Sequence, residues 1–203
     1  MISVFKGIKN SHVLIFDAEY NEGHLIQFAG ILFQKIERDI YQVKKSINFY
    51  VKLPEGKEVN RFIRDFTGIN DSYLNAFGED LESAQNLINE LIDIQEDDLL
   101  IVSHGLKNDR QTLLNNDIDL YLDRKEREIE GLCTYSAAKR LLNRTKNLRL
   151  ENVAEDAGIF LGNSHSAFDD AWATVSVFCL VRKLEEEKKN EKVLPSGKNE
   201  ISW

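Results

Sequence analysis

Val13-Leu14-Ile15-Phe16-Asp17-Ala18-Glu19-Tyr20 is the stretch that decides how this chain is read. Four consecutive apolar side chains predict a strand covered on both faces. The strand then ends in two carboxylates. Side chains two apart on a strand project from one face, so Asp17 and Glu19 point the same way at the edge of an apolar core. Like charges so placed repel unless a cation lies between them. Hard carboxylate oxygens suit a divalent ion such as magnesium or manganese.

Two further strands follow, Leu25 to Phe33 and Ser46 to Leu53. The second alternates Ile47, Phe49, Val51 and Leu53 with polar residues until Pro54 and Gly56 stop it. Short connections predict an antiparallel meander. From Val59 the period turns helical, through Phe62, Ile63 and Phe66 to Thr67-Gly68. A longer helix follows with Leu81, Ala84, Leu87, Ile88, Leu91 and Ile92 on one face. Leu99 to Val102 reads as a short buried strand, and parallel pairing with the first strand would bring its C-terminal end beside Asp17. Asp109 to Leu114, Ala137 to Leu142, Leu150 to Ala157 and Ala167 to Glu187 predict four more helices. The expected architecture is an α/β layered domain on one mixed sheet, three strands antiparallel and the others parallel, flanked by helices. The domain is expected over residues 1–187. A polar tail is expected over 188–203, with Pro195-Ser196-Gly197 and the terminal Ile201-Ser202-Trp203.

Composition narrows the function. The chain has 203 residues, 42% hydrophobic and 30% charged, and a formal net charge of −8. That is the profile of a globular protein. No apolar run has the length of a membrane span, and Met1 to Ser11 is too polar for a secretory signal. Cys133 and Cys179 each lie in an apolar stretch and read as reduced core cysteines, from which a cytoplasmic location is expected. Net acidity argues against coating long nucleic acids by phosphate contacts, but leaves room for an enzyme that grips a few nucleotides. Lys139, Arg140, Arg144, Lys146 and Arg149 fall in one short acid-free run, readable as a solvated helix face or as a small phosphate-guiding patch.

Two clusters downstream carry further acids. Asp109 stands at a predicted helix start after Ser103-His104-Gly105-Leu106-Lys107-Asn108, where the macrodipole favours an acid. The other cluster is Asn163-Ser164-His165-Ser166-Ala167-Phe168-Asp169-Asp170-Ala171. Ser166 with Asp169 resembles a capping box, which assigns Asp169 to the helix's own backbone. Asp170 leads the series Thr174, Val177, Phe178, Val181 and Leu184 at helical spacing. It therefore sits at the core-facing boundary, where an unpaired acid is costly. Asp170 is the ligand candidate. His165, just before the helix, has an intrinsic pKa suited to proton transfer.

In order and spacing, Phe16-Asp17-Ala18-Glu19, Ser103-His104 through Asp109, and His165-x-Ala167-x-x-Asp170-Ala171 resemble the motifs of the DEDDh (DnaQ-like) 3′–5′ exonucleases. This is the family of the DNA polymerase III epsilon subunit and related exoribonucleases. The resemblance runs from Leu14 to Leu184 and implies a ribonuclease-H-like fold. It implies that Asp17, Glu19, Asp109 and Asp170 hold two Mg2+ or Mn2+ ions and that His165 is the general base. It also implies hydrolysis of single-stranded RNA or DNA from the 3′ end to 5′-nucleoside monophosphates. Substrate contacts are implied at Ala18, Tyr20, His104 and Asn108. Tyr20 stands where many relatives have threonine, and Asn108 where many have an aromatic; both bear on substrate preference. The alternative within the resemblance is a proofreading or adaptor subunit that works only with a polymerase or other processing partner, although no motif indicates a protein partner and none indicates a membrane.

Overall fold

The strand carrying the acid pair, His12–Asn21 (β2), lies inside a seven-stranded mixed sheet in the computed structural model. The structure describes residues 1–93, 98–120, 129–143, 145–161 and 165–193. Besides β2, the strands are Ile2–Val4 (β1), His24–Glu37 (β3), Ile40–Val51 (β4), Gly78–Glu79 (β5), Leu99–Ser103 (β6) and Glu130–Cys133 (β7). The helices are Arg61–Thr67 (α1), Asp71–Phe77 (α2), Leu81–Asp93 (α3), Leu106–Leu114 (α4), Thr134–Leu141 (α5), Leu150–Asp156 (α6) and Ala167–Val193 (α7).

Sheet order is β1-β4-β3-β2-β6-β7, with β5 beside β4. The expected meander is present: β2 pairs antiparallel with β3, and β3 with β4. The β2–β3 turn is Glu22-Gly23, both at positive φ (52° and 86°), which matches the twist of a tight hairpin. β6 pairs parallel with β2, Ile15 opposite Val102, and β7 extends the parallel side. The short strand Leu99 to Val102 therefore ends beside the acid pair, as its sequence implied.

Alternation along β2 divides the core. Leu14 and Phe16 face Ile88 and Leu91 of α3 and Leu106 and Leu113 of α4. Val13 and Ile15 face Ala167, Ala171, Val175 and Phe178 of α7. Helices α5 and α6 then pack on the far side of α7 through Ala138, Leu141, Val153, Ala173 and Val177. The sheet is thus covered on both faces, and no helix among the described residues is long and apolar enough to cross a membrane.

Several boundaries differ from those expected. β4 starts at Ile40 rather than Ser46, because a two-residue turn at Arg38-Asp39, with Asp39 at φ 61°, starts a long hairpin without glycine. α4 starts at Leu106, so Asp109 lies within its first turn instead of opening it. α7 continues six residues past Glu187, over the start of the expected tail; its lysines and glutamates are good helix formers, and Lys188 Nζ donates to the Leu141 carbonyl at 2.9 Å. Elements β1, β5, β7 and α2 were not anticipated. Arg144, Asn163, Ser164 and the tail from 194 lie outside the described residues.

One buried polar residue ties the sheet to α7. Gln27 is 1% exposed; its Oε1 accepts from the Ala167 N–H at 3.2 Å and its Nε2 donates to Asn48 Oδ1 at 3.0 Å. Replacing it with leucine strands the buried N–H of Ala167 at the start of α7. Gln27→Leu should lower unfolding stability by about 1–3 kcal/mol, read as a shifted midpoint at unchanged slope in urea. An unchanged midpoint would refute this anchoring.

Candidate functional site

Parity along β2 sets the site. Asp17 and Glu19 continue the Val13-Ile15 face, so they emerge toward the first turn of α7, which carries Asp170. Carboxylate oxygens of Asp17, Glu19 and Asp170 all lie within 4.8 Å of one another. The two candidates on α7 separate as the helical spacing implied: Asp169 is exposed and Asp170 half-buried. The Asp170 N–H closes the first turn on the Ser166 carbonyl at 2.9 Å. On β3, Glu19 pairs with Gln27 and Tyr20 with Leu25, which leaves Ile26 as an extra residue. This bulge turns Ile26 into a small core with Val59, Ile69 and Leu74, beneath α1 and α2.

Asp109 enters from α4, the layer opposite α7. Ser103, fully buried at the end of β6, donates from Oγ to Asp109 Oδ2 at 2.6 Å. The Gly105 backbone also hydrogen-bonds this carboxylate, so Asp109 is held in place from both β6 and the loop before α4. Asp109 lies outside the tightest set of three, yet its charge acts on both Asp17 and Glu19.

Electrostatics show what this convergence costs. Burial, then the charges of Glu19, Asp109 and Asp170, push the Asp17 carboxyl well above its ordinary range. Burial, then Asp170 and Asp109, raise Glu19 from 4.5 to about 7. Burial, then Asp169 and Glu151, raise Asp170 from 3.8 to about 6. Burial raises Asp109 as well, against the pull of the Ser103 hydroxyl. Converging, partly buried carboxylate oxygens that repel one another are the donor set a hard divalent cation fits.

The remaining sequence candidates divide. His165 is half-buried, and its ring stacks on Phe66 of α1, centroids 3.6 Å apart and planes at 19°. No ring nitrogen of His165 joins the cluster of Asp17, Glu19 and Asp170 oxygens. His104, expected to contact substrate, spends both ring nitrogens inside the protein: Nδ1 lies 2.9 Å from Thr134 Oγ1 and Nε2 2.7 Å from the Leu148 carbonyl. It fastens the β6 end to α5 and to the segment before α6. Ala18 and Tyr20 have the opposite parity to the acids and pack against the α3–α4 side, with the Tyr20 hydroxyl 3.5 Å from the Asp109 carbonyl. Asn108 is exposed. Phe168 packs edge-on against Trp172 in the core. In the basic run, Arg140 pairs with Glu185 and Arg149 lies 3.8 Å from Glu151, so part of that charge is matched locally. Sequence reading missed Gln27, Ser103 and Phe66. The polar Gln27 within the apolar run Leu25 to Phe33 was a usable signal; Ser103 and Phe66 gave none.

The family model described as exonuclease (RNase T) matches residues 14–178. No curated protein sequence matches the chain at a significant level. Among solved structures, E. coli Exonuclease I in complex with a dT13 oligonucleotide is similar at TM-score 0.70 and 20% identity, over 89% of this chain and 43% of that one. A zinc-bound form of the E. coli ExoI–ssDNA complex gives 0.69 at 20% identity, over 89% and 42%. The nuclease domain of 3′hExo, a DEDDh family member bound to rAMP, gives 0.67 at 13% identity, over 88% and 94%. The chain spans less than half the length of Exonuclease I. At these identities the likeness shows the fold, which is the α/β, ribonuclease-H-like arrangement the motifs implied.

The raised carboxyls fix the sign of a pH effect. A folded pKa above the ordinary value means that folding favours the protonated acid. That stability is complete below the unfolded pKa and is lost as pH rises through about 6 for Asp170 and about 7 for Glu19. In chelator the melting temperature should fall from about pH 5 to about pH 8, and Glu19→Gln should flatten that fall. A wild-type profile rising across the window, or one untouched by the substitution, would contradict the assigned repulsion.

Proposed function

The chain belongs to the exonuclease family, and on that premise we propose that it is a metal-dependent 3′–5′ exonuclease that shortens single-stranded RNA or DNA to 5′-nucleoside monophosphates. The observation that carries the reading is the convergence of Asp17, Glu19 and Asp170 within 4.8 Å, with Asp109 close enough to act on the first two. The family is metal-dependent, and these four acids are the residues that would hold two Mg2+ or Mn2+ ions. Divalent ions there supply Lewis acidity, acidifying the attacking water and neutralising charge that builds on the phosphate.

The chain's own residues would do the rest. Ser103 holds Asp109 by one oxygen, and Gln27 holds the first residue of α7, so the acids are presented from rigid elements. His165 would take the proton of the attacking water on an imidazole nitrogen. Its ring rests on Phe66 of α1. Tyr20 on β2 and Asn108 on α4 would contact substrate, with the Ala18 backbone; both ring nitrogens of His104 are spent within the protein, where it supports the end of β6.

The test is a gel time course on 5′-labelled single-stranded RNA and DNA with Mg2+, Mn2+ or chelator. Laddering from the 3′ end is expected, lost in chelator and lowered at least 100-fold by Asp17→Ala, since each removed acid takes both ligand and charge from the set. Cleavage that persists in Asp17→Ala would remove the assignment. Inertness of a folded, metal-loaded wild type toward both strands would point to a subunit that needs a partner to present its substrate.

A further inference from the structure

The outer edge of β4 is paired at both ends and open between them. β1 covers Ile40 to Gln42, and the Val43 N–H donates to the Met1 carbonyl at 3.1 Å. β5 covers Tyr50 and Val51, and the Lys52 N–H donates to the Glu79 carbonyl at 2.9 Å. Among the described residues no strand pairs with this edge from Lys44 to Phe49. Backbone groups alternate in direction along a strand. Ser46 and Asn48, in phase with Lys52, therefore turn their N–H and C=O groups outward, whereas Lys45, Ile47 and Phe49 turn theirs to β3. Ser46 and Asn48 are exposed, so their ladder groups face water in a window about 20 Å long. The strand beneath is firm. Ile47 and Phe49 pack on the α3-side core, Phe28 and Phe49 stack with centroids 5.8 Å apart, and Gln27 holds Asn48 Oδ1. An open, rigid strand edge is a template for one more strand.

Length and charge narrow what fits. A second copy of the chain would bring a β4 of 12 residues that carries its own β1 and β5 on the same edge. In an antiparallel pairing centred on the window, each copy's β4 ends would run into the places the other's β1 and β5 already hold. The occupant is therefore short and extended, without flanking strands. Lys44 and Lys45 border the window at one end and Lys52 lies beyond the other, and β4 itself holds no acid in a chain of net −8. Lys45 shares its charge with Glu90 of α3 at 3.2 Å. We propose that the β4 edge between β1 and β5 is a docking site for a short, acidic, extended segment of a partner protein, which joins the sheet as an added strand. The backbone of Ser46 and Asn48 supplies the ladder bonds, and the lysines select the acidic segment. The window is level with Asp17 but two strands away, since Asp17 pairs with Ala29 and Ala29 with Asn48. A docked segment leaves the acids open, so it tethers this domain without blocking the site. The proposal does not depend on the exonuclease reading.

The probe is a blocked hexapeptide alternating glutamate and valine, beside a lysine–valine counterpart, titrated into the full chain and read by hydrogen exchange of single backbone amides in NMR. In the free chain the Ser46 and Asn48 amides should exchange faster than those of Ile47 and Phe49, and saturating acidic peptide should slow them about ten-fold or more. Methylating every second peptide nitrogen should abolish binding in one phase and spare it in the other, as expected of a strand that pairs through alternate residues. Ser46→Pro removes an outward donor and leaves the β3 ladder intact; it should weaken binding about ten-fold, whereas Ser46→Ala keeps it. If Ser46→Pro fails to fold, the two methylated peptides on wild type decide the matter. Unchanged exchange at both amides with millimolar peptide would overturn the site, as would equal binding by the lysine peptide or an equal effect of the two methylation patterns. Protection already present in the free chain would overturn it too. A dependence on protein concentration would then assign the edge to a second copy, and independence would assign it to this chain's own residues 194–203.

Discussion

Repulsion among carboxylates at the end of one strand is the constraint around which this structure is arranged. Asp17 and Glu19 emerge where β2 leaves its double apolar cover, and Asp170 and Asp109 are brought to them from helices on opposite faces of the sheet. Glu19, Asp109 and Asp170 make Asp17 harder to ionise, and Asp170 and Asp109 do the same to Glu19, so the site is held together against its own electrostatics. What resists is the packing beneath it. Val13, Leu14, Ile15 and Phe16 are fully buried, so the strand's register, and with it the direction of both acids, is tied to two cores at once. A divalent cation held there would relieve this repulsion.

Buried polar side chains complete the positioning. Gln27 and Asn21 lie on adjacent strands close to Glu19, one reaching the start of α7 and the other the segment leading into α1. Ser103 does the same for Asp109 from β6. All three are almost fully buried and hydrogen-bonded, the condition under which polar groups specify geometry without a net penalty. Asp109, the start of α7 with Asp170, and α1 are thus referred to one rigid sheet. The basic run near α5 is by contrast partly spent on α7, through Arg140 and Glu185.

The parts legible in sequence were those where side-chain pattern and backbone role coincide. The run from Val13 to Tyr20 gave both the strand and the direction of its acids. The apolar spacing after Asp170 told it apart from Asp169, and the all-apolar Leu99 to Val102 could only be a buried strand. Elements fixed by backbone pairing or by partners distant in sequence left no such trace. β7 is Glu-Gly-Leu-Cys, strand-like only because β6 offers it a ladder. β1 is three residues on an edge. α2 could have been found from Asn70, whose side chain caps it at the Tyr73 N–H, but its only buried residue is Leu74. The structural tie made by His104 left no trace in sequence, because a motif position does not reveal that both ring nitrogens meet groups 30 and 44 residues away. The spacing of Phe62 and Phe66 suggested a core face; tertiary placement turned it outward.

Whether this acid cluster is a divalent-metal centre is tested most directly by calorimetric titration of Mn2+ into chelator-stripped protein, beside the isosteric variant Asp17→Asn. Two ions bound per chain, with proton release on binding and loss of both in the variant, is the result this account predicts. Absence of binding by the folded wild type, or unchanged stoichiometry and affinity in Asp17→Asn, would contradict it.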